Sequence, residues 1–207
     1  MPLATPALSP AIRRGAVLLL AAALAWSTSA PARDDSELPP DTANFELQAA
    51  DGRTVSAEDF RGRYLLMFFG YTNCPDVCPS TMAATAAALR QLGERAERVK
   101  PLFISVDTRR DTPQALAAYT QAFHPDILGL TGDKRAINQA ARSLGAMYRT
   151  MDYQGKYLVD HTASLYLVGP DGELQDVYPH GLSAGELARR LEQAMAGGST
   201  DTATEES

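Results

Sequence analysis

"YLLMFFGYTNCPDVCPSTM", residues 64–82, decides the fold. Its first part, "YLLMFFGY" over 64–71, is an unbroken apolar run, the mark of a strand buried on both faces. The loop that follows at once holds Cys74 and Cys78, the two cysteines of the chain, each followed by proline. From about Ser80 a helix begins, with Met82, Ala86, Leu89 and Leu92 along one face. A buried strand that runs through a cysteine pair into a helix puts both sulfurs at the carboxyl end of a sheet.

Working outward, the pattern repeats. "FELQAADGRTVS" before it reads as an N-terminal hairpin turning at Asp51-Gly52. "PLFISV", 101–106, is a second buried strand, and Thr112-Pro113 opens a helix with an N-cap and a first-position proline. Leu116, Tyr119 and Phe123 form that helix's stripe. "DILGLTG" gives a third strand, and Asp133 caps a helix with Ile137, Ala140, Ala141 and Leu144 inward. Two hairpins follow, turning at Gln154-Gly155 and Asp171-Gly172, and Ser183 with Glu186 makes a capping box for a last helix. Alternating strands and helices require parallel strands with crossover helices, and the hairpins add antiparallel ones. The expected fold is α/β: a thioredoxin-like mixed central sheet flanked by helices, preceded by a β-hairpin.

The cysteines have three readings. As a staple, a bridge across five residues contributes roughly 2 kcal/mol against roughly 4.7 for a 100-residue loop. A chain of 207 residues, 45% apolar, has a core of its own and gains little from that. As a redox couple, Pro79 at the first helical position sets Cys78 at the N-cap, where helix N–H groups favour a reactive thiolate. The thiol–disulfide spacing of this fold is C-x-x-C, however, and here three residues intervene. Redox members also carry a proline before the strand at 163–168, where this chain reads Asp160-His161-Thr162. As a metal clamp, two thiolates suit Cu(I) or Zn(II) and need a further ligand. Of the three histidines, His124 falls at the far end of the sheet. His161 and His180 fall at the cysteine end if strand 163–168 lies antiparallel beside 64–71. That topology favours His161, with His180 one strand spacing, about 4.8 Å, further off. Asp160 is either an orienting carboxylate for His161 or a solvated loop residue. Met67 and Met82 read as core. Asp107, Arg109, Arg110 and Asp111 read as a solvated charged loop, with a partner surface as the alternative.

Arg13-Arg14, the apolar run over 15–26 and a small-residue exit describe a signal peptide or an N-terminal membrane anchor over residues 1–32. A mitochondrial targeting sequence is the competing reading. Residues 33–43 form a linker, 44–196 the folded domain and 197–207 a disordered tail. The domain then lies outside the cytosol, where close cysteines form a disulfide unless kept reduced or metallated. Removing residues 1–32 takes the formal charge from −6 to −8, which argues against nucleic-acid binding.

"FFGYTNCPDVCPSTM", "SVDTRRDTPQALAAYTQAF", "LGLTGD" and "YLVDHTASLYLVGPDG" together resemble the Sco/SenC family of copper-binding proteins, from about Phe45 to Met195. The resemblance implies a thioredoxin-like domain outside the cytosol, periplasmic or on the outer face of the inner membrane, or else on the intermembrane-space side of the mitochondrial inner membrane. It implies one copper ion, Cu(I) or Cu(II), on Cys74, Cys78 and His161. The implied role is a copper chaperone that helps build the binuclear copper site of cytochrome c oxidase subunit II. An upstream copper donor or thiol reductant would be a second partner. The alternative is a thiol–disulfide oxidoreductase or redox sensor that uses the same pair without metal. One departure is Thr108, where the family pattern has proline; it bears on loop shape and not on the ligands.

Overall fold

A computed structural model of the chain describes residues 41–154 and 156–197. The expected leader, most of the linker and residues 198–207 of the tail lie outside these. The hairpin is β1 (Glu46–Ala49) and β2 (Thr54–Ser56), followed by β3 (Tyr64–Gly70), α1 (Val77–Leu92), β4 (Val99–Ser105) and α2 (Pro113–Gln121). Then come β5 (Leu128–Thr131), α3 (Lys134–Ser143), the ribbon β6 (Tyr148–Tyr153) and β7 (Lys156–His161), the hairpin β8 (Leu165–Val168) and β9 (Leu174–Tyr178), and α4 (Ala184–Gly197).

Seven strands form one mixed sheet in the order β2-β1-β5-β4-β3-β8-β9, and β6 and β7 form a separate two-stranded sheet. Strand β3 is central. It pairs parallel with β4 and antiparallel with β8, and all seven of its residues are buried. Its alternation sorts the core into two layers. Leu65, Met67 and Phe69 join Ile137 and Ala140 of α3 on one face. Leu66 and Phe68 join Met82 and Leu89 of α1, Leu116 of α2 and Leu187 and Leu191 of α4 on the other. The thioredoxin-like layout expected from the sequence is the one the chain adopts.

Three local features differ from expectation. Helix α1 starts at Val77, three residues before Ser80, with Asp76 as N-cap. Cys78 is therefore the second helical residue and Pro79 the third. The first four N–H groups of a helix have no intrahelical acceptor, so a proline fits there as well as at the first position. Residues 41–43 of the expected linker belong to the domain, since the Ala43 N–H donates to the Gly172 carbonyl (2.9 Å) and the Leu174 N–H to the Asp41 carbonyl (2.7 Å). At α4 the capping box is half built. The Glu186 N–H donates to Ser183 Oγ (3.2 Å), but the Glu186 carboxylate is taken by Arg189 and Arg190.

The topology brings two loops and one strand start to the same sheet end. The carboxyl ends of β3 and β4 carry the cysteine loop and residues 106–112. Leu165 pairs with Phe68, so antiparallel β8 begins beside the end of β3 and the ribbon that precedes it arrives there as well.

Candidate metal centre

The cysteine loop is pinned from below. Asp111 accepts from the Thr72 N–H (2.9 Å), from Thr72 Oγ1 (2.6 Å) and from Ser105 Oγ (2.6 Å). Asp107 and Asp111 are buried, and Asp107 is ion-paired with Arg110. The loop that reads as solvated charge is thus split: Arg109 and Arg110 are exposed as expected, while the two aspartates form a buried polar brace, Asp111 satisfied by Thr72 and Ser105 and Asp107 paired through one oxygen with Arg110. Sequence reasoning missed this brace. Its signal was the pair of hydroxyl residues, Ser105 at the end of a buried strand and Thr72 in the cysteine loop.

The two thiols are free and unlike one another. Cys78 is 0% exposed, and its sulfur lies where Gly70, Phe103 and Phe68 leave room for it. Burial pushes its thiol well up. Cys74 is half-buried and accepts from the Cys78 N–H at 3.4 Å. Burial pushes the Cys74 thiol up, but the N–H groups of Cys78, Asp76 and Val77 outweigh it and hold the thiol below its ordinary value. The helix N-terminus therefore activates Cys74 and not Cys78, the reverse of the sequence expectation. The reason is the early helix start, which carries Cys78 past the cap into the first turn and aims the free N–H groups back at Cys74.

His161 closes the group from the last residue of β7. Its ring meets Phe68 and Tyr71 edge-on, each at 5.8 Å between centroids. Nδ1 lies 3.1 Å from the Thr162 carbonyl, which can only accept, so Nδ1 carries the proton and Nε2 presents its lone pair. Nε2 faces Cys78 Sγ at 3.6 Å. Burial lowers the imidazole's pKa, opposed by the Thr162 carbonyl and by Asp160. The orienting partner is thus a backbone carbonyl; Asp160 is exposed and pairs across the ribbon with Arg149.

Cys74, Cys78 and His161 place their ligand atoms within 4.8 Å of one another, and among the described residues no other such group forms. The donor set fits a soft or borderline ion. Bonds of about 2.3 Å to sulfur and about 2.0 Å to nitrogen in a trigonal plane put S and N about 3.7 Å apart. The Cys78–His161 spacing of 3.6 Å meets that requirement. Neither other histidine joins the group. His124 Nδ1 accepts from the Asp126 N–H (3.3 Å), and His180 Nδ1 lies 3.4 Å from Thr81 Oγ1, one turn along α1 from Cys78. Met67 and Met82 are core residues as expected.

Comparison with known proteins gives one consistent answer. The SCO1/SenC family profile matches residues 33–196. A curated relative, the mitochondrial SCO2 homolog of Bos taurus, is 40% identical over 157 residues, covering 74% of this chain and 59% of the relative. The chain spans about three fifths of that relative's length. The crystal structure of Arabidopsis thaliana ScoI with copper bound superposes with a TM-score of 0.70 at 33% identity, covering 76% of this chain and 99% of that one. The structure of BsSco, described as a member of the Sco family of cytochrome c oxidase assembly proteins, superposes with a TM-score of 0.57 at 26% identity, covering 76% and 98%. Among the described residues no helix is long and apolar enough to cross a membrane.

Proposed function

The chain belongs to the SCO1/SenC family, and from that premise we propose that it carries one copper ion on Cys74 Sγ, Cys78 Sγ and His161 Nε2 for the assembly of cytochrome c oxidase. Copper is cargo in this reading. The observation that carries it is the convergence of two thiols and a correctly protonated imidazole within 4.8 Å. Two thiolates and one imidazole satisfy Cu(I), whereas Cu(II) takes a further ligand. Three donors leave the ion open to an incoming thiol, and half-buried Cys74 is the more exposed of the two sulfur donors. The receiving protein is oxidase subunit II, whose binuclear copper site is assembled by copper transfer, by reduction of that site's cysteines, or by both. Support comes from the copper-bound ScoI relative and from the description of BsSco. The working compartment is outside the cytosol, periplasmic or mitochondrial. The basic and apolar N-terminal sequence and the mitochondrial relatives support this. Residues 1–32 act there as leader or anchor, and residues 41–196 as the copper-binding domain.

The thiol–disulfide reading has one observation of its own, the asymmetry between an activated Cys74 and a sequestered Cys78. In it, the Cys74 thiolate attacks a partner disulfide, and Cys78 then displaces the partner's second thiol, leaving the Cys74–Cys78 disulfide. Anaerobic Cu(I) titration of the reduced protein against a competing chelator separates the two. One tight equivalent, lost in Cys78→Ser and much weakened in His161→Ala, is expected. Weak binding indifferent to His161, with disulfide reduction retained, would overturn the copper reading.

A further inference from the structure

His161 sits on a ribbon that pairs with no strand of the main sheet. A lone two-stranded ribbon is marginal in water. At its base Tyr148 and Val159 rest on the core, and the Thr162 N–H donates to the Met147 carbonyl at 2.8 Å. Further along, the ring of Tyr157 lies against two guanidinium groups, Arg109 at 4.2 Å and Arg110 at 4.8 Å from its centroid. Arg109 also ion-pairs at 3.2 Å with Asp152, the residue directly across the ribbon from Tyr157. Arg110 is tied to buried Asp107 and stands 5.8 Å over the ring of Tyr71, which itself meets His161 edge-on. The 106–112 loop therefore grips both halves of the donor group. Asp111 holds Thr72 of the cysteine loop, and Arg109 and Arg110 hold the ribbon. Tyr157 and His161 are four residues apart on one strand, so they share a face of the ribbon.

We propose that Tyr157, gripped by Arg109 and Arg110, is a positioning residue that keeps the His161 strand within ligating reach of Cys74 and Cys78. The proposal rests on the reading of those three residues as metal donors. Tyr157 touches no metal; it fixes the far end of the lever on which the imidazole rides. Its ring face carries the larger share of the interaction, because a guanidinium is attracted to the π-system, while the hydroxyl adds weaker contacts with Thr150 and Asp107.

The test is a double-mutant cycle in the full chain, with Tyr157→Leu and Tyr157→Phe made in the wild-type and His161→Ala backgrounds. Cu(I) affinity is read by chelator competition, and amide hydrogen exchange is read on the metal-free protein. Tyr157→Leu is expected to weaken Cu(I) binding about tenfold, and Tyr157→Phe by no more than about twofold. In the His161→Ala background Tyr157→Leu adds nothing, because a residue that acts through His161 has no further effect once the imidazole is gone. Hydrogen exchange in Tyr157→Leu speeds up along β6 and β7 and stays unchanged in β3 and β4. Wild-type affinity in Tyr157→Leu would overturn the proposal. So would an equal further loss in the His161→Ala background, or a Tyr157→Phe variant as impaired as Tyr157→Leu. A wild-type protein that binds Cu(I) no tighter than His161→Ala would overturn the donor assignment beneath it. That failure is told apart because exchange in the ribbon is measured without metal.

Discussion

Gly70→Ala isolates one close approach. A Cβ at Gly70 would lie 2.9 Å from Cys78 Sγ, 2.9 Å from Phe103 Cε2 and 3.0 Å from Phe68 Cε1, all inside normal contact. The backbone there is ordinary strand, so alanine is free of conformational strain and would otherwise stabilise the chain by about 0.4–1 kcal/mol through the unfolded state. The two rings are fully buried and packed on one another at 6.1 Å, which leaves them little freedom to move. The sulfur, in the first turn of α1, gives way first. Overpacking of a filled core costs about 1–3 kcal/mol, which lowers the melting temperature of a domain this size by roughly 2–12 °C. The larger effect falls on metal binding. Displacing Cys78 Sγ breaks its 3.6 Å relation to His161 Nε2, and a loss of about tenfold or more in Cu(I) affinity is expected for a misplaced ligand. Thermal melts of the metal-free protein and chelator competition on the reduced protein measure the two effects separately. A lowered melting temperature with unchanged Cu(I) affinity would mean that the rings absorb the methyl. The inference that Gly70 sets the position of the sulfur would then be wrong.

Three further outcomes follow from the same geometry. Asp111→Ala leaves the Thr72 N–H and the hydroxyls of Thr72 and Ser105 without their acceptor, so a loss of about 2–4 kcal/mol is expected in chemical denaturation; a loss below 1 would show that the brace is dispensable. Iodoacetamide should modify Cys74 before Cys78 in the reduced, metal-free protein, with the Cys74 rate titrating below that of a free cysteine; peptide mass spectrometry that found Cys78 alkylated first would contradict the assigned roles. For His161 the folded pKa lies below the ordinary 6.5, so the unfolded chain takes up its proton first as pH falls. The imidazole's contribution to metal-free stability is complete above about pH 6.5 and declines below it until the folded pKa is reached, and His161→Ala should remove that component of the pH dependence.

The strands and helices were legible because each carries its own period. The apolar run of β3 admits one reading, and the stripes of α1, α2 and α3 face the layers they predict. His161 was legible through topology, since an antiparallel β8 has to begin where β3 ends. What the sequence concealed was set at finer scale. Proline in a first helical turn does not say which position it occupies, and the difference of two residues exchanged the roles of the cysteines. Buried charge was hidden for a different reason. "DTRRD" has the composition of an exposed loop, and only the arrival of Thr72 and Ser105 from other segments makes burial of Asp111 favourable. The clasp on Tyr157 is likewise assembled from segments 47 and 48 residues apart in sequence, beyond the reach of any local pattern.

The separation within the donor group bears on when the protein can take up its ion. Cys74 and Cys78 meet within one loop, but the Cys78–His161 contact spans 83 residues. Closing it requires β8 to dock on β3 and the ribbon to seat. In an unfolded chain the two cysteines stay close in sequence, but nothing holds His161 beside them. The complete three-donor group therefore belongs to the folded domain alone.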